Sequence, residues 1–426
     1  MTAPTDSRDA GEPEVAELAR RIGAEHVHDG TSADHIDDRT PRWVVRPGSV
    51  TDVQAVLHFA GRHRLAVFPV GLGGHLDVGG AARSVDVVLA LDRLDRVIDH
   101  VAGDMTVTVE AGCSLGDLDE RLAEAGQWLP LDPPFGAETS VGGLVAANLS
   151  GPLRASQGTV RDYLIGVKVV TGEGRVAAGG GRVVKNVAGY DVPKLHVGAL
   201  GTLGVVVEAT FKVRPRPERE VALRIECGEV DAAARALELR DAIEPQWLEI
   251  AGPGVLGSGA GVALLAGFLG SDAEVQASRR RAEQIASGWS ARADVVEDAE
   301  GLRQRIVESA RGAAVLRIAT LPGDLGAMLA RLPEGGSLRW HAHATAGSLR
   351  VGVPEADEVA ALLRDLRPRA EAVGGTAVVE RATPTVKRAI DPDPGLWGSA
   401  PSGIGLMRGL KAAFDPLALL APGRLL

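Results

Sequence analysis

The chain has 426 residues, of which 45% are hydrophobic and 24% are charged, and its formal net charge is −10. This length predicts at least two domains, and the composition is typical of a globular protein. The negative charge argues against a nucleic-acid partner, which would require a basic face. The two cysteines, Cys113 and Cys227, are too few for a disulfide framework or for a cysteine-held zinc or iron–sulfur site.

The N-terminal stretch MTAPTDSRDAGEPE lacks the basic and apolar regions of a secretory signal. No run of about 18 apolar residues occurs, which is the length that a transmembrane helix requires. We therefore expect a cytoplasmic protein without a transmembrane segment.

The first part of the chain predicts a short amphipathic helix and then a βαβ unit that ends in a glycine loop. In order, the pattern predicts a helix at 14–23, a strand at 43–46, a helix at 51–63 with Ser49 as its N-cap, a strand at 66–70 and the loop GLGGHLDVGG at 71–80. The next segment, SVDVVLALDRL, reads as a strand. An anion on this loop would therefore be held by main-chain N–H groups and not by a helix dipole.

The following region predicts alternating strands and turns. Its elements are a strand at 105–112, a helix at 114–126, an irregular loop at 130–151, a hairpin that turns at 171–174 and a strand at 205–217. Pro215 and Pro217 stop the last strand and predict a domain boundary. Beyond them, strands and helices alternate in a pattern that favours an α+β domain with an antiparallel sheet and helices on one face.

Seven motifs follow one another between residues 42 and 217. They are P-x-S-x-x-D-V, the glycine loop, T-x-E-A-G, S-V-G-G-x-x-A, V-x-V-V-T-G-x-G, K-N-V-A-G-Y-D and G-x-x-G-T-L-G. In this order they resemble the FAD-binding domain of the PCMH-type flavoproteins, within the vanillyl-alcohol oxidase superfamily. The segment GPLRASQGTVRD, together with KNVAGYD, is most similar to the GlcE-type FAD-binding subunit of glycolate oxidase.

The resemblance implies FAD as the cofactor and an α+β fold. It implies an N-terminal segment at 1–40, a two-subdomain FAD-binding domain at 41–217 and an α+β cap domain with an antiparallel sheet at 218–400. A C-terminal segment at 401–426, which ends in MRGLKAAFDPLALLAPGRLL, would pack back on the FAD-binding domain.

The resemblance also implies which residues contact FAD. A diphosphate cradle would comprise Val70, Gly71, Leu72, Gly73, Gly74 and His75. A second loop around the diphosphate and ribityl chain would comprise Pro134, Thr139, Ser140, Gly142, Gly143, Ala146, Ser150 and Gly151. The adenine–ribose contacts would be Gly158, Val160 and Arg161, and the far wall would be Gly201, Gly204, Val205 and Val206.

The first three of these segments each have a plain structural alternative. The first is an ordinary surface turn, the second a packing corner of small residues, and the third an ion pair between Arg161 and Asp162. Some members of the superfamily carry FAD covalently on a histidine after the glycine pair. His75 falls one position beyond that attachment point, so we expect non-covalent FAD.

The resemblance implies hydride transfer from a hydroxyl-bearing carbon to the flavin, which requires a base and a carboxylate anchor. Tyr190 is the predicted base or hydrogen-bond donor, and Arg381 is the predicted anchor for a substrate carboxylate. Lys387, Arg388 and Arg424 are further cations late in the chain, and for any single one of them a solvated surface position is the favoured interpretation.

His341 and His343 alternate, so a strand would point both in one direction. They could be a metal pair, but no third ligand lies at close spacing, so we assign no metal site.

The favoured function is FAD-dependent oxidation of a small 2-hydroxy acid of the glycolate and lactate class. The alternative is a non-catalytic electron-transfer or interaction subunit of a multi-protein dehydrogenase. FAD-containing and iron–sulfur partner subunits would then complete the enzyme, and they could attach it peripherally to a membrane.

Overall fold

The computed structural model describes residues 12–182, 191–257, 261–333, 338–391 and 395–425. They form an N-terminal lobe (residues 12–217), a cap lobe (residues 218–400) and a tail (residues 401–425) that returns to the N-terminal lobe. No helix within these ranges is both long enough and apolar enough to cross a membrane.

The N-terminal lobe contains three sheets and several short helices. Its elements are α1 (Glu12–Ile22), β1 (Val27–Asp29), β2 (Trp43–Val45), α2 (Val50–His63), β3 (Val67–Val70), β4 (Val87–Ala90), β5 (Val97–Val101), β6 (Thr106–Glu110), α3 (Leu115–Ala123), β7 (Gln127–Trp128), α4 (Val141–Ala147), α5 (Arg154–Gln157), α6 (Val160–Tyr163), β8 (Leu164–Val170), β9 (Val176–Gly180), α7 (Pro193–His196), β10 (Val205–Lys212) and β11 (Arg214–Pro215).

The cap lobe and the tail contain the remaining elements. They are β12 (Arg219–Glu226), α8 (Glu229–Ile243), β13 (Trp247–Ala251), β14 (Ala263–Gly270), α9 (Asp272–Gly288), β15 (Ala293–Val296), α10 (Ala299–Ser309), β16 (Ala314–Ala319), α11 (Leu325–Leu329), β17 (Arg339–His343), β18 (Ser348–Val353), α12 (Ala356–Ala372), β19 (Thr376–Ala382), α13 (Pro384–Ala389) and α14 (Ile404–Phe414).

The predicted βαβ unit is confirmed. The first sheet has the order β1-β2-β4-β3, in which β2, β4 and β3 are parallel and β1 is antiparallel. Ser49 caps α2, because its Oγ accepts a hydrogen bond from the N–H of Asp52 at 3.2 Å. The helix then buries Val53, Val56 and Leu57 in the core of the lobe.

The second sheet of the N-terminal lobe is antiparallel, with the order β5-β6-β10-β8-β9. Its hairpin β8–β9 closes where the N–H of Thr171 donates to the carbonyl of Arg175 at 2.9 Å. The predicted turn at 171–174 is therefore confirmed. β1 and α1 also belong to this lobe, since β1 pairs with β2 and α1 buries Leu18 in the same core.

The prediction that residues 130–151 form one irregular loop is wrong, because residues 141–147 form helix α4. Ser140 is its N-cap and accepts a hydrogen bond from the N–H of Gly143 at 3.1 Å. Val141, Leu144 and Val145 are buried at the i, i+3 and i+4 spacing of a helix. The small residues between them hid this periodicity.

The cap sheet is antiparallel, as predicted. In the described residues it has eight strands in the order β15-β12-β14-β13-β17-β18-β16-β19. One face is apolar and packs against α8, α9 and α12. The prediction of helices on one face only is wrong for α10, which buries Leu302 and Ile306 against Trp247 and Leu265 on the other face. The rest of that second face is polar.

The tail returns to the N-terminal lobe, as predicted. The N–H of Val67 in β3 donates to the carbonyl of Leu419 at 2.8 Å, and the N–H of Ala421 donates to the carbonyl of Val67 at 2.9 Å. Asp37 links three parts of the chain. Its buried carboxylate accepts hydrogen bonds from Lys387 of the cap lobe at 2.9 Å and from Arg424 of the tail at 2.6 Å.

Candidate functional site

A cavity lies in the N-terminal lobe, and its empty space, including the part open to solvent, is about 850 Å³. Three segments supply most of its wall: the loop after β3, the start of α4 and the segment that leads into β10. The predicted residues that line it are Val70, Gly71, Gly73, Gly74, His75, Thr139, Ser140, Gly142, Gly143, Ala146, Gly201, Gly204 and Val206.

Glycine is required at several of these positions. A Cβ at Gly71 would overlap the Oγ of Ser140 and lie 2.8 Å from its Cβ. Gly73 and Gly201 have φ angles of 82° and 71°, which favour glycine. With no side chains at these points, main-chain groups come to the surface of the cavity. A long cofactor with a negatively charged diphosphate fits such a wall.

His75 faces the cavity and is neutral near pH 7. Its Nε2 lies 3.2 Å from the Oγ1 of Thr139, while its buried Nδ1 has no hydrogen-bond partner among the described residues. Burial and then the charge of Arg381 lower its pKa to about 4. The imidazole can therefore exchange a hydrogen bond with a bound ligand.

The other predicted FAD residues do not line this cavity. Leu72 is exposed on the outer side of the loop, and the carbonyl of Pro134 accepts a hydrogen bond from Thr139. The remaining ones are Ser150, Gly151, Gly158, Val160, Arg161 and Val205.

The ion pair considered for Arg161 and Asp162 is not what the structure shows. The Asp162 carboxylate accepts the N–H of Thr159 at 2.7 Å, as part of a capping box at the start of α6. Arg161 is exposed. Its predicted contact with FAD remains a prediction.

Arg381, the predicted carboxylate anchor, joins the cap lobe to the glycine loop. Its Nε lies 2.8 Å from Oδ2 of Asp77, and its guanidinium stacks 4.6 Å from the centre of the Phe135 ring. One side of the guanidinium is therefore already engaged. Tyr190, the predicted base, lies outside the described residues.

The other late cations considered in the sequence have structural partners. Lys387 and Arg424 both bind Asp37, and Arg388 pairs with Asp38 at 3.0 Å.

The polar face of the cap sheet carries a buried cluster that the sequence revealed only in part. The Nδ1 of His341 lies 2.9 Å from Oε2 of Glu249, and the Nδ1 of His343 contacts Oε1 of the same carboxylate. The prediction that both histidines point in one direction is confirmed. Within the part of the chain that the structure describes, no three His, Cys, Asp or Glu side chains are arranged to hold a metal ion.

Burial sets the charge of this cluster. It raises the pKa of the Glu249 carboxyl and lowers the pKa of His341. Burial, followed by the charge of Arg350, lowers the pKa of His343 to about 3. The neutral imidazole has its Nδ1 against Glu249, and its buried Nε2 has no partner in the described ranges. This Nε2 can accept a hydrogen bond, although the low pKa makes the imidazole a weak base.

Beside the histidines lies a second buried pair, which sequence reasoning missed. The Nε of Arg350 lies 2.8 Å from Oε2 of Glu380. Burial alone would raise the pKa of Glu380, but Arg350 and Arg317 lower it to about 2. The signal that was available is a charged residue inside an otherwise apolar strand, as in WLEIA, SLRVGV and TAVVERA.

Comparison with known proteins decides the family. Residues 41–179 match the family described as FAD binding domain, and residues 398–425 match the family described as FAD linked oxidases, C-terminal domain. The chain is 31% identical over 435 residues to D-2-hydroxyglutarate dehydrogenase of Xanthomonas citri pv. viticola, with 91% of each chain covered. This chain belongs to the FAD-linked oxidase family.

Other members of the FAD-linked oxidase family are also similar to it. Glycolate oxidase subunit GlcD of Bacillus subtilis is 27% identical over 433 residues, with 91% of each chain covered. Glycolate oxidase subunit GlcE of Escherichia coli is 40% identical over 143 residues, which is 33% of this chain and 41% of that protein.

A crystal structure of p-cresol methylhydroxylase with substrate bound has a TM-score of 0.74 at 15% identity, and it covers 98% of this chain and 97% of that one. The predicted family and PCMH-type fold are confirmed.

Proposed function

We propose that the cavity binds FAD non-covalently and that the chain oxidises a small 2-hydroxy acid by hydride transfer to the flavin. The observation that carries this proposal is the cavity wall of three glycine-bearing segments. The relatives named above act on 2-hydroxyglutarate or belong to glycolate oxidase, which supports a 2-hydroxy acid as the substrate.

The residues of the cavity fit the cofactor in separate ways. The main-chain N–H groups of residues 71–74 would bind the diphosphate, and Gly142 and Gly143 would allow a close approach on the opposite side. Gly201 and Gly204 would pack near its rings. When bound, FAD supplies the acceptor for the hydride.

The cap lobe would supply the proton acceptor. His343 is neutral, its Nδ1 contacts Glu249, and its Nε2 has no partner in the described ranges. This Nε2 could take the proton of the substrate hydroxyl, which becomes strongly acidic as the hydride leaves the adjacent carbon. Arg381 remains the predicted anchor for the carboxylate next to the reacting carbon, with Asp77 holding the guanidinium in place. Tyr190 remains a predicted hydrogen-bond donor to the substrate.

Two measurements on the purified full chain test this proposal. Non-covalent binding predicts that acid precipitation releases the flavin into the supernatant, whereas flavin that stays in the pellet would indicate attachment to His75. Anaerobic addition of a 2-hydroxy acid should bleach the flavin absorbance near ~450 nm, a position set by the cofactor itself. A fully FAD-loaded chain that no 2-hydroxy acid can bleach would refute the catalytic proposal.

The role of His343 can be tested in the same assay. We expect His343→Gln to keep its FAD and to slow bleaching by roughly 100-fold or more, since general bases contribute about 10²–10⁴-fold. Bleaching at the rate of the unchanged chain would exclude His343 as the proton acceptor.

A second candidate is an FAD-bearing subunit that passes electrons within a complex. The 40% identity to glycolate oxidase subunit GlcE favours it. With two cysteines, this chain cannot itself hold an iron–sulfur cluster, so such a centre would lie on a partner subunit, which could also attach the complex to a membrane. This candidate predicts that a 2-hydroxy acid reduces the flavin only when partner subunits are added.

A further inference from the structure

Two arginines face each other on neighbouring strands of the cap sheet. Arg317 of β16 lies directly opposite Arg350 of β18 in the antiparallel register. Like charges at opposite positions destabilise a sheet, so the pair requires an acidic partner. Glu380 provides it, with oxygens 2.8 Å from the Nε of Arg350 and 3.2 Å from the Nε of Arg317. Two cations therefore share one carboxylate.

A third arginine approaches from the N-terminal lobe. Arg154 begins the short helix α5, which packs against β13 of the cap sheet. Burial and then the charges of Arg350 and Arg317 lower the pKa of Arg154. No hydrogen bond or ion pair joins its guanidinium to any residue that the structure describes. Arg154 is therefore near enough to Arg317 and Arg350 for their charges to act on it, and the charge of Glu380 acts on all three guanidinium groups.

Some donors of this arginine cluster (Arg154, Arg317 and Arg350) have no acceptor. Arg350 is almost fully buried, yet its Nη1 has no hydrogen-bond partner within the described ranges. The cross-strand neighbour of His343, Ser348, has a buried Oγ that is likewise without a partner there. Buried polar groups in native proteins almost always have partners, so this group of atoms indicates a bound polar ligand.

The other nearby carboxylates have partners of their own, although Oε1 of Glu249 makes no hydrogen bond in the described ranges. Asp132 lies 3.2 Å from Arg303 and accepts the N–H groups of Gly151 and Leu153 at 3.1 Å each. Glu249 is held between its two histidines. No hydrogen bond within the described ranges joins either carboxylate to Arg154 or to the Nη1 of Arg350.

None of the three arginines lines the cavity, but Glu380 and Arg381 connect the arginine cluster to the glycine loop of its wall. Glu380 directly precedes Arg381, which is bound to Asp77 of the glycine loop. The negative charge of Glu380 also acts on His75, which lines the cavity. It raises the pKa of His75 and so opposes part of the lowering that burial causes. A ligand in the cavity near His75 would therefore have the arginine cluster on its cap-lobe side.

We propose that the arginine cluster binds a second carboxylate of the substrate, so that the preferred substrates are 2-hydroxy dicarboxylic acids. This inference rests on the proposed function and specifies its substrate class. One carboxylate would lie at Arg381, next to the reacting carbon. The other carboxylate would accept hydrogen bonds from Arg154 and from the Nη1 of Arg350. Guanidinium groups suit this role because they form charge-assisted, bidentate hydrogen bonds with carboxylates.

The first test compares substrates on the FAD-loaded full chain. We expect 2-hydroxyglutarate or malate to bleach the flavin at concentrations at least 10-fold lower than lactate or glycolate. Arg154→Gln should raise the half-saturating concentration of the dicarboxylates by about 10- to 100-fold, the range for a lost charged hydrogen bond, and change that of lactate by less than about threefold. Arg175→Gln, at an exposed arginine paired with Glu173, is the matched control and should change neither.

The second test measures binding without chemistry. Calorimetric titration should show glutarate binding to the FAD-loaded chain, butyrate binding much more weakly, and Arg154→Gln removing the difference. If these binding results are obtained but no hydroxy acid bleaches the flavin, the proposed binding of a carboxylate by the arginine cluster is supported and the proposed oxidation is refuted. If lactate bleaches the flavin as well as the dicarboxylates do, and Arg154→Gln affects both equally, the proposed oxidation stands and the arginine cluster is refuted.

Discussion

Gly71 and Ser140 lie so close together that a single methyl group should disturb the cavity. In Gly71→Ala the new Cβ would overlap the Oγ of Ser140, which then has to leave its position as N-cap of α4. The lost cap costs about 1 kcal/mol, and overpacking adds roughly 1–3 kcal/mol. We therefore expect the free energy of unfolding, measured by urea titration, to fall by about 2–4 kcal/mol and FAD to bind more weakly.

A double-mutant cycle isolates this contact. Ser140→Gly alone should cost only a few tenths of a kcal/mol, because glycine is itself an acceptable N-cap. It should also remove the overlap, so the double variant should be more stable than Gly71→Ala. Gly103→Ala is the control: a Cβ there meets nothing within 4 Å, and the change should stay within about 0.5 kcal/mol. Additive effects of the two substitutions would refute the proposed packing of these loops.

Three further predictions follow from other contacts. Gly201→Val should purify without FAD, which the loss of flavin absorbance would show. The φ of Gly201 is 71°, which disfavours a branched side chain, and the valine side chain would fill the cavity. A variant that purifies with stoichiometric FAD would contradict this prediction. Asp37→Asn should lower the free energy of unfolding by about 3–5 kcal/mol, since Lys387 and Arg424 would lose their buried counter-charge, and hydrogen exchange should show the tail less protected. Burial lowers the pKa of His196 to about 4 in the folded chain, from about 6.5 in the unfolded chain. Between these two values the unfolded chain binds more protons, so the free energy of unfolding should fall as the pH drops from about 6.5 to about 4. In His196→Phe the midpoint of urea unfolding should depend less on pH over this range.

The sequence predicted elements whose periodicity was undisturbed. The βαβ unit at the glycine loop has a clear N-cap at Ser49 and an apolar helical face, and the structure confirms it. Helix α4 was missed because Gly142 and Gly143 occupy its first turn. Glycine disfavours a helix by about 1 kcal/mol relative to alanine, and here the burial of Val141 and Leu144 overrides that preference.

The site was predictable only where its residues are neighbours in sequence. The glycine loop at 71–75 appears as one motif. The contact of Glu249 with His341 joins residues 92 positions apart, and it depends on the register of strands β13 and β17. The same is true of Arg154, which reaches the cap sheet from the other lobe. Such contacts are set by tertiary packing, which spacing along the chain does not encode.

A crystal structure of the full chain with its bound cofactor would test the central claim most directly. We expect FAD in the cavity, with its diphosphate against the main-chain N–H groups of residues 71–74 and its ring system beside His75 and Gly201. Density for the flavin elsewhere, or a chain that purifies folded and cannot take up FAD, would contradict the account.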